Sequence, residues 1–383
     1  MGALSGRALT TIVCGLALAA LPVFLVGGLA VQIRADLGLT ETQLGAAVTA
    51  TFVVGGMTAP LGGRLSDRMG AKTAILIGAA LSTVALAGIG LFASTWGFLA
   101  ACLAIAGTSF AFVDPGLAIL ITRTIPGERH GLAFGLKEAS IPAATLAAGI
   151  AVPSVALTLG WRWAFALGAI PLGILLALLP RLELGPVLLQ EPESGAPALP
   201  GRRALIAVAV AAALGSAASA GIGVFLTESA VAMGLRPGPA GWLLAAGSLA
   251  GIATRIYTGI RADHRGDPQI GFIAVMLAVG ATAMATVALD HPILLVVGTV
   301  GAFAGGWGWS GLFFLSLVRA SPAAPGAASG VGLTGLALGN AFGPLAFGAT
   351  AQALSFEAAW AGAALLAALG AALMLWARPA FDR

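Results

Sequence analysis

The sequence is divided into twelve long apolar runs, and this feature restricts the possible fold more than any other. Each run has roughly 20 residues, which is the length of an α-helix that crosses a bilayer. In lipid the backbone has no water to bond, so its polar groups must be satisfied within helices. The sequence therefore predicts an all-α membrane protein with twelve transmembrane helices. The predicted helices span residues 9–32, 43–62, 74–93, 97–122, 131–157, 164–180, 204–226, 240–259, 270–289, 293–317, 328–352 and 357–376.

The distribution of basic residues predicts how these helices are oriented. Only 9% of the 383 residues are charged, whereas a soluble domain has about 25%. If the N-terminus is cytoplasmic, the outer ends of the helices hold only Arg34, Arg162 and Arg236 of the 19 lysines and arginines, and Lys137 lies within a helix. By the positive-inside rule we expect both termini in the cytoplasm. The rule also accounts for the net charge of +4, so nucleic-acid binding is not expected.

The longest polar stretch, residues 181–203, falls between the sixth and seventh predicted helices. It is rich in Pro, Glu, Gly and Ser, a composition typical of a flexible linker. We therefore expect two bundles of six helices each, residues 1–180 and 204–383, joined by a cytoplasmic linker.

Two loops repeat one motif at half the length of the chain. The pattern G-x-x-x-D-x-x-G follows the second helix with Asp67 and the eighth helix with Asp263, 196 residues further on. Repetition at half length is typical of transporters whose halves move about a midplane site. We expect Gly63 and Gly259 to end their helices, and the two aspartates to accept hydrogen bonds from nearby helix N-termini, where the dipole favours an anion.

The first of these loops resembles the signature loop of the major facilitator superfamily. It matches that loop at Gly63, Leu65, Asp67, Arg68, Gly70 and Lys72 and has Ala71 where an arginine is usual. The resemblance implies two pseudo-symmetric six-helix bundles that rock around one central cavity. It also implies a gating network at the cytoplasmic side, made of Gly63, Asp67, Arg68, Gly70, Gly259, Asp263 and Arg265. The alternative is that the basic residues of these loops only follow the positive-inside distribution.

Ionisable residues within the membrane are expensive and indicate functional sites. Asp114 and Lys137 lie ~13 Å and ~12 Å from the inner ends of adjacent helices, by the helical rise, so they share one depth. Either they form a structural ion pair, or they face the cavity and hold substrate or a proton. Glu138 points about 100° away from Lys137, so we expect only one of the two to face the cavity. Asp114 and Glu138 are the candidate proton carriers.

Arg255 is the leading candidate for substrate binding. It precedes Gly259 by four residues, and this R-x-x-x-G resembles monocarboxylate transporters and some other organic-anion carriers of the superfamily, where the arginine binds the substrate carboxylate. The chain as a whole resembles bacterial organic-anion, monocarboxylate-type or cyanate-permease-like members. The planar guanidinium suits a carboxylate because it donates two parallel hydrogen bonds. The alternative is an arginine that extends to the membrane surface. Tyr257 and Lys137 are further candidates.

Helices ten and eleven supply aromatic and amide candidates. Trp307 and Trp309 are flanked by glycines near the middle of the bilayer, whereas most membrane tryptophans lie at the interfaces. They form either an aromatic cavity wall or ordinary packing. Asn340 either donates to substrate or bonds a neighbouring helix.

These observations predict a secondary transporter of a small organic anion, driven by a proton or by the substrate gradient. The main alternative is drug efflux, which the aromatic tenth helix favours and the absence of a Gly-Pro pair in the fifth helix disfavours. A non-transporting receptor or enzyme is disfavoured because the sequence has no protease, hydrolase or nucleotide-binding motif. We expect no enzymatic activity, no cofactor and no metal, and a monomer in a bacterial inner membrane.

Overall fold

The computed structural model describes residues 6–184, 201–321 and 325–381. These contain twelve helices that are long and apolar enough to cross a membrane, and no β-strand. The predicted all-α class and helix number are confirmed. Of the predicted linker, residues 185–200 lie outside the described residues. The helices are α1 Gly6–Gly28, α2 Glu41–Met69, α3 Ala71–Phe92, α4 Trp96–Thr124, α5 Gly127–Ala156, α6 Trp161–Arg181, α7 Arg202–Ala232, α8 Pro237–His264, α9 Ile270–Val287, α10 Pro292–Ala320, α11 Pro325–Ala353 and α12 Phe356–Ala380.

Short connections with local capping define several helix ends. Thr40 caps α2 through a reciprocal capping box with Gln43, and Thr95 caps α4 through the Phe98 amide. These hydroxyls satisfy amides that the first helical turn leaves without a partner. Gly70 alone joins α2 to α3 with a φ of 83°, a conformation that glycine adopts without steric cost.

Five helices depart from regular α-helical geometry, and one of them, α6, is interrupted between Trp161–Leu167 and Ile170–Leu178. α1 stops at Gly28 and continues as a short helix, Ala30–Leu37, which we call the α1 extension. α5, α7 and α10 contain π-helical segments at Val152–Ala156, Gly221–Phe225 and Ala302–Gly306. Segments of this kind occur frequently at functional sites.

The twelve helices form two bundles related by the internal repeat. In the first bundle α4 packs on α2 and α3, and α1 packs on α5; in the second, α7 packs on α11 and α12, and α12 packs on α9. The bundles meet along an α5–α8 seam and an α2–α11 seam, with α1 against α7 between them. We call the end with the α2–α3 and α8–α9 connections the basic end, and the other end the opposite end.

The α5–α8 seam is closed along its whole length by glycine contacts. A Cβ atom added to Gly149 would lie 2.7 Å from the Gly241 carbonyl oxygen, near the opposite end. One added to Gly259 would lie 2.6 Å from the Gly131 carbonyl oxygen, near the basic end. Small residues allow helix backbones in a membrane to approach this closely.

The α2–α11 seam is closed only at the opposite end. There Gly45 contacts the Pro344 backbone, and the Thr42 amide donates to Gln352 Oε1 at 3.2 Å. Towards the basic end, a Cβ atom added to Gly63 or Gly330 would meet no atom of the described residues within 4 Å. At these two glycines α2 and α11 are therefore not in contact within the described residues.

The expectation that Gly63 and Gly259 end their helices is wrong. α2 continues to Met69 and α8 to His264. Membrane helices tolerate glycine because neighbouring helices pack on it, and at Gly259 this packing is present. The repeated glycines therefore mark packing positions along a helix rather than helix ends.

Candidate functional site

Four charged side chains and one indole meet where α4, α5, α8 and α10 adjoin the cavity. Lys137 Nζ lies 2.6 Å from Asp114 Oδ1 and 3.2 Å from Glu138 Oε1. The ion pair between Asp114 and Lys137, one of the two alternatives from the sequence, is present. The Lys137 side chain is 7% exposed and that of Asp114 is 50% exposed, so the pair reaches the cavity through its carboxylate.

Glu138 joins this ion pair to Arg255. Its carboxylate lies between Lys137 Nζ and the Arg255 guanidinium, with Oε2 at 3.5 Å from Arg255 Nη1. Although Lys137 and Glu138 leave α5 in different directions, the flexible four-carbon stem of lysine lets their charged ends meet. A cleft between α5, α8 and α10 is lined by Glu138, Arg255 and Thr258.

Arg255 is fully engaged by protein atoms. Its side chain is 2% exposed, with Nη1 donating to the Glu138 carbonyl at 2.6 Å and Nη2 donating to the Trp307 carbonyl at 2.8 Å. The alternative of an arginine extended to the membrane surface is wrong, because the guanidinium points into the protein. It ties α8 to α5 and to α10.

Trp307 connects the charged cluster to an aromatic group. Its ring centroid lies 5.4 Å from Arg255 Cζ, 5.4 Å from the Phe24 centroid and 5.5 Å from the Phe303 centroid. Trp307 directly follows the π-helical segment of α10, and Arg255 satisfies its carbonyl. Sequence reasoning missed Phe24, because a phenylalanine in a uniformly apolar helix gives no signal of its own.

Three predicted substrate-binding residues lie outside this cluster. Trp309 is buried against Phe313, and its Nε1 donates to the Gly306 carbonyl at 2.9 Å. Tyr257 is 55% exposed, and its neighbour Arg255 points the other way. Asn340 is partly buried on α11, without a side-chain hydrogen bond to any residue in the described ranges.

The two repeated loops have different partners. Asp263 accepts hydrogen bonds from the Gly131 and Leu132 amides at 2.7 and 2.8 Å, in the first turn of the α-helical part of α5. The carboxylate thus sits where the helix dipole favours an anion. Beside this carboxylate, Arg319 Nη1 donates to the Arg265 carbonyl at 2.6 Å.

Asp67, in the first loop, is exposed and makes no hydrogen bond or ion pair within the described ranges. Its neighbour Arg68 lies in the last turn of α2, and Gly70 forms the tight turn into α3.

A second group of charges closes the opposite end. Arg34 of the α1 extension pairs with Glu228 of α7, and with Glu41 of α2 at 2.9 Å. Arg162 pairs with Asp36 at 2.6 Å, and its guanidinium holds the pKa of that carboxyl below its ordinary value. The sequence predicted only an orientation from Arg34 and Arg162, because Glu228 lies far from Arg34 along the chain and Asp36 lies far from Arg162.

The charges of the central cluster balance one another. Two cations and two carboxylates lie within 3.5 Å of a partner, so their charges cancel while both carboxylates are ionised. In a medium of low dielectric constant an uncompensated charge is costly, so any added ion must be balanced. The described ranges contain no group of three or more residues suited to hold a metal ion.

Comparison with known sequences identifies the family. The sequence model of the Major Facilitator Superfamily matches residues 12–226, which is more than half of the chain. The chain therefore belongs to the major facilitator superfamily, a family of membrane transporters. The family predicted from the signature loop is confirmed.

Two curated relatives come from Mycobacterium tuberculosis. The uncharacterized MFS-type transporter Rv1250 is 34% identical over 113 residues, which are 30% of this chain and 19% of that protein. The uncharacterized MFS-type transporter EfpA is 30% identical over 158 residues, which are 40% of this chain and 28% of that protein. The matched segments thus cover less than a third of either relative.

Solved structures share the fold over almost the whole chain. A bacterial homologue of the human lysosomal transporter Spinster, in an inward-facing and unoccupied conformation, matches with a TM-score of 0.76 and 15% identity, over 100% of this chain and 99% of that one. A D-xylose–proton symporter matches with a TM-score of 0.75 and 18% identity, over 96% of each chain. At these identities the likeness concerns the fold.

Proposed function

We propose that this transporter carries a small organic anion together with a proton by alternating access. The observation that supports the proposal is the charge balance of the central cluster. Lys137 and Arg255 are both neutralised by Asp114 and Glu138. An anion can therefore replace a carboxylate as a partner only when that carboxylate takes up a proton.

The exposures of the four groups suggest an order of events. Asp114 is the most exposed member, so it is the carboxylate that a proton from solvent can reach directly, and its protonation releases Lys137 for the substrate carboxylate. Arg255 becomes available only if Glu138 is also protonated, because Glu138 and Trp307 occupy its guanidinium. Trp307 and Asn340 then contribute to the cavity wall, and Trp309 and Tyr257 have no part in substrate binding.

The same proposal places the basic end in the cytoplasm of a bacterial cell, with the chain in the inner membrane and both termini inside. Support comes from the basic residues at the ends of α2 and α8 and from the positive-inside rule. Residues 1–180 and 204–383 move as two bundles joined by residues 181–203, within a monomer. The gate consists of Gly63, Asp67, Arg68, Gly70, Gly259, Asp263 and Arg265.

Uptake by proteoliposomes tests the proposal. Radiolabelled lactate, pyruvate and cyanate are offered with and without an imposed pH gradient, and we expect uptake of at least one to rise with the inward proton gradient. Asp114→Asn should abolish this dependence on pH, and Lys137→Met should abolish uptake. Lys72→Met, at the basic end, is the matched control. Undiminished anion uptake by Lys137→Met would contradict the anion role.

Efflux of a cationic drug in exchange for a proton is the second candidate. It is favoured because the most exposed charge of the cluster is the Asp114 carboxylate, which can hold a cation. Ethidium uptake into inverted vesicles separates the two candidates. Transport of ethidium, lost in Asp114→Asn, together with no transport of the three anions, would favour efflux.

A further inference from the structure

Three residues from different helices meet between the charged cluster and the opposite end. Phe24 of α1 is buried, and its ring lies edge-on to the Trp307 ring of α10. A Cβ atom added to Gly223 of α7 would lie 2.7 Å from Phe24 Cε1 and 3.0 Å from Trp307 Cη2. Both rings therefore lie directly on the backbone of α7, where any larger residue would displace them.

Further contacts follow this one along α1 towards the opposite end. A Cβ atom added to Gly27 would lie 2.6 Å from the Gly223 carbonyl oxygen and 2.7 Å from Val224 Cα. Beyond it, Arg34 pairs with Glu228. Phe24 and Trp307 thus form the layer nearest the cavity, and they bring together one helix of the first bundle and two of the second.

Each of the three helices is irregular at this point. Gly223 lies within the π-helical segment Gly221–Phe225, and Trp307 directly follows the segment Ala302–Gly306. α1 ends at Gly28, one turn beyond Phe24. Interruptions in the backbone ladder are where helices bend, so the backbones that carry the two rings can move relative to the rest of each helix.

Arg255 connects this contact to the charged cluster. It holds the Trp307 carbonyl through Nη2 and the Glu138 carbonyl through Nη1, and its guanidinium carbon lies 5.4 Å from the Trp307 ring centroid. A change in the interaction between Glu138 and Arg255 therefore reaches Trp307 through one side chain.

We propose that Phe24 and Trp307, meeting over Gly223, form an aromatic seal that closes the central cavity towards the opposite end. Arg255 is a positioning residue that keeps Trp307 in its closing position. The proposal goes beyond the identity of the substrate and the use of a proton, because it concerns which side chains block the path through the protein.

Labelling of a cysteine in the cleft between α5, α8 and α10 tests the seal without any substrate. Cys14 and Cys102 are replaced by alanine, and Leu315→Cys, in the cleft at the basic half of α10, provides the reporter. A membrane-impermeant maleimide is added on the side of the opposite end. We expect Phe24→Ala and Trp307→Leu to raise the labelling rate at least tenfold above that of the parent.

Two further variants sharpen the result. Arg255→Lys keeps the charge but has one amine in place of the planar fork, so we expect an intermediate rise in labelling. Phe342→Ala, an exposed phenylalanine on α11, is the matched control and should label at the parent rate. Labelling from the basic end at the parent rate shows that a variant is folded, and Phe24→Leu replaces Phe24→Ala if that variant does not fold. Equal rates from the opposite end in all variants would overturn the proposal.

Discussion

The two seams between the bundles are built on the same glycine pattern and yet differ in structure. Gly45 and Gly63 on α2 correspond to Gly241 and Gly259 on α8, each pair 196 residues from the other. The two glycines of each helix are about five turns apart and therefore lie on the same face of that helix. On α8 both glycines contact α5, whereas on α2 only Gly45 contacts α11 within the described ranges.

This difference shows that a glycine stripe makes a close approach possible but does not by itself hold two helices together. α8 has additional groups at the basic half of its seam. Arg255 bonds α5 and α10, and Asp263 bonds the first turn of α5. At the equivalent places α2 has Ala59 and the unpaired Asp67. We infer that these polar groups keep the α5–α8 seam closed in the conformation that opens α2–α11.

The largest expected effect comes from removing the polar group deepest in the closed seam. Arg255→Met removes one of the two buried cations beside the Glu138 carboxylate and leaves it only Lys137, and loss of one member of a buried pair costs up to about 3–5 kcal/mol. Ala59→Met introduces the same side chain at the equivalent place on α2, which is partly exposed, and we expect the free energy of unfolding to change by less than about 1 kcal/mol, as at surface sites away from packed contacts. Thermal unfolding in detergent measures both. Equal losses would show that the two seams do not differ here.

An added methyl group should act with opposite sign on the two seams. Gly259→Ala places a Cβ atom against the Gly131 carbonyl, and overpacking of this kind costs about 1–3 kcal/mol. Gly63→Ala meets open space, so the helix propensity of alanine should stabilise α2 by up to about 1 kcal/mol. Thermal melts of the two variants should therefore shift in opposite directions, and a shift of the same sign would contradict the structure.

The loop aspartates provide a smaller contrast. Asp263→Asn keeps the shape of the side chain but loses a charged acceptor of two amide hydrogen bonds, which is worth about 1.5–3 kcal/mol. Asp67→Asn loses no partner among the described residues, so we expect almost no change in stability. The melting temperature and protection of the Gly131 amide from hydrogen exchange report the effect. Faster hydrogen exchange at the Gly131 amide in Asp67→Asn than in Asp263→Asn would contradict Asp263 as the acceptor of this amide.

Arg123 near the end of α4 and Arg319 near the end of α10 occupy equivalent places in the repeat. Their replacement should have the smallest effect on stability. Arg319 donates to the Arg265 carbonyl, whereas the equivalent Arg123 has a buried Nε without a described partner. Arg319→Gln should cost about 1 kcal/mol, the net value of one hydrogen bond, and Arg123→Gln should be neutral. Unfolding by urea or by heat in detergent measures the stability of the two variants. A larger loss for Arg123→Gln would indicate that the α2–α11 seam depends on its arginine more than the structure shows.

Much of this fold follows from the sequence, because membrane helices are specified by long apolar runs that no other structure in lipid can accommodate. The repeat of Asp67 at Asp263 also predicts which loops are equivalent. The state of each seam could not be predicted, since the two copies have the same glycines and acidic residue and differ in contacts made by distant helices.

The candidate site was predictable in part, for a related reason. Asp114 and Lys137 stand out as charges in apolar helices, and equal depth brings them together. The hydrogen bonds that Arg255 donates to two backbone carbonyls could not be predicted from the sequence. One of them depends on the π-helical segment before Trp307. Phe24 gave no signal, because its role depends on Gly223, a residue of another helix nearly two hundred positions away.

The charge balance of the central cluster has a consequence for transport in an energised cell. Moving one elementary charge across a membrane potential of 100 mV changes the free energy by about 2.3 kcal/mol. Asp114, Lys137, Glu138 and Arg255 together carry no net charge while all four are ionised, so the electric field does no net work on them when the halves change position. The return of the empty carrier should therefore run at the same rate in polarised and depolarised vesicles.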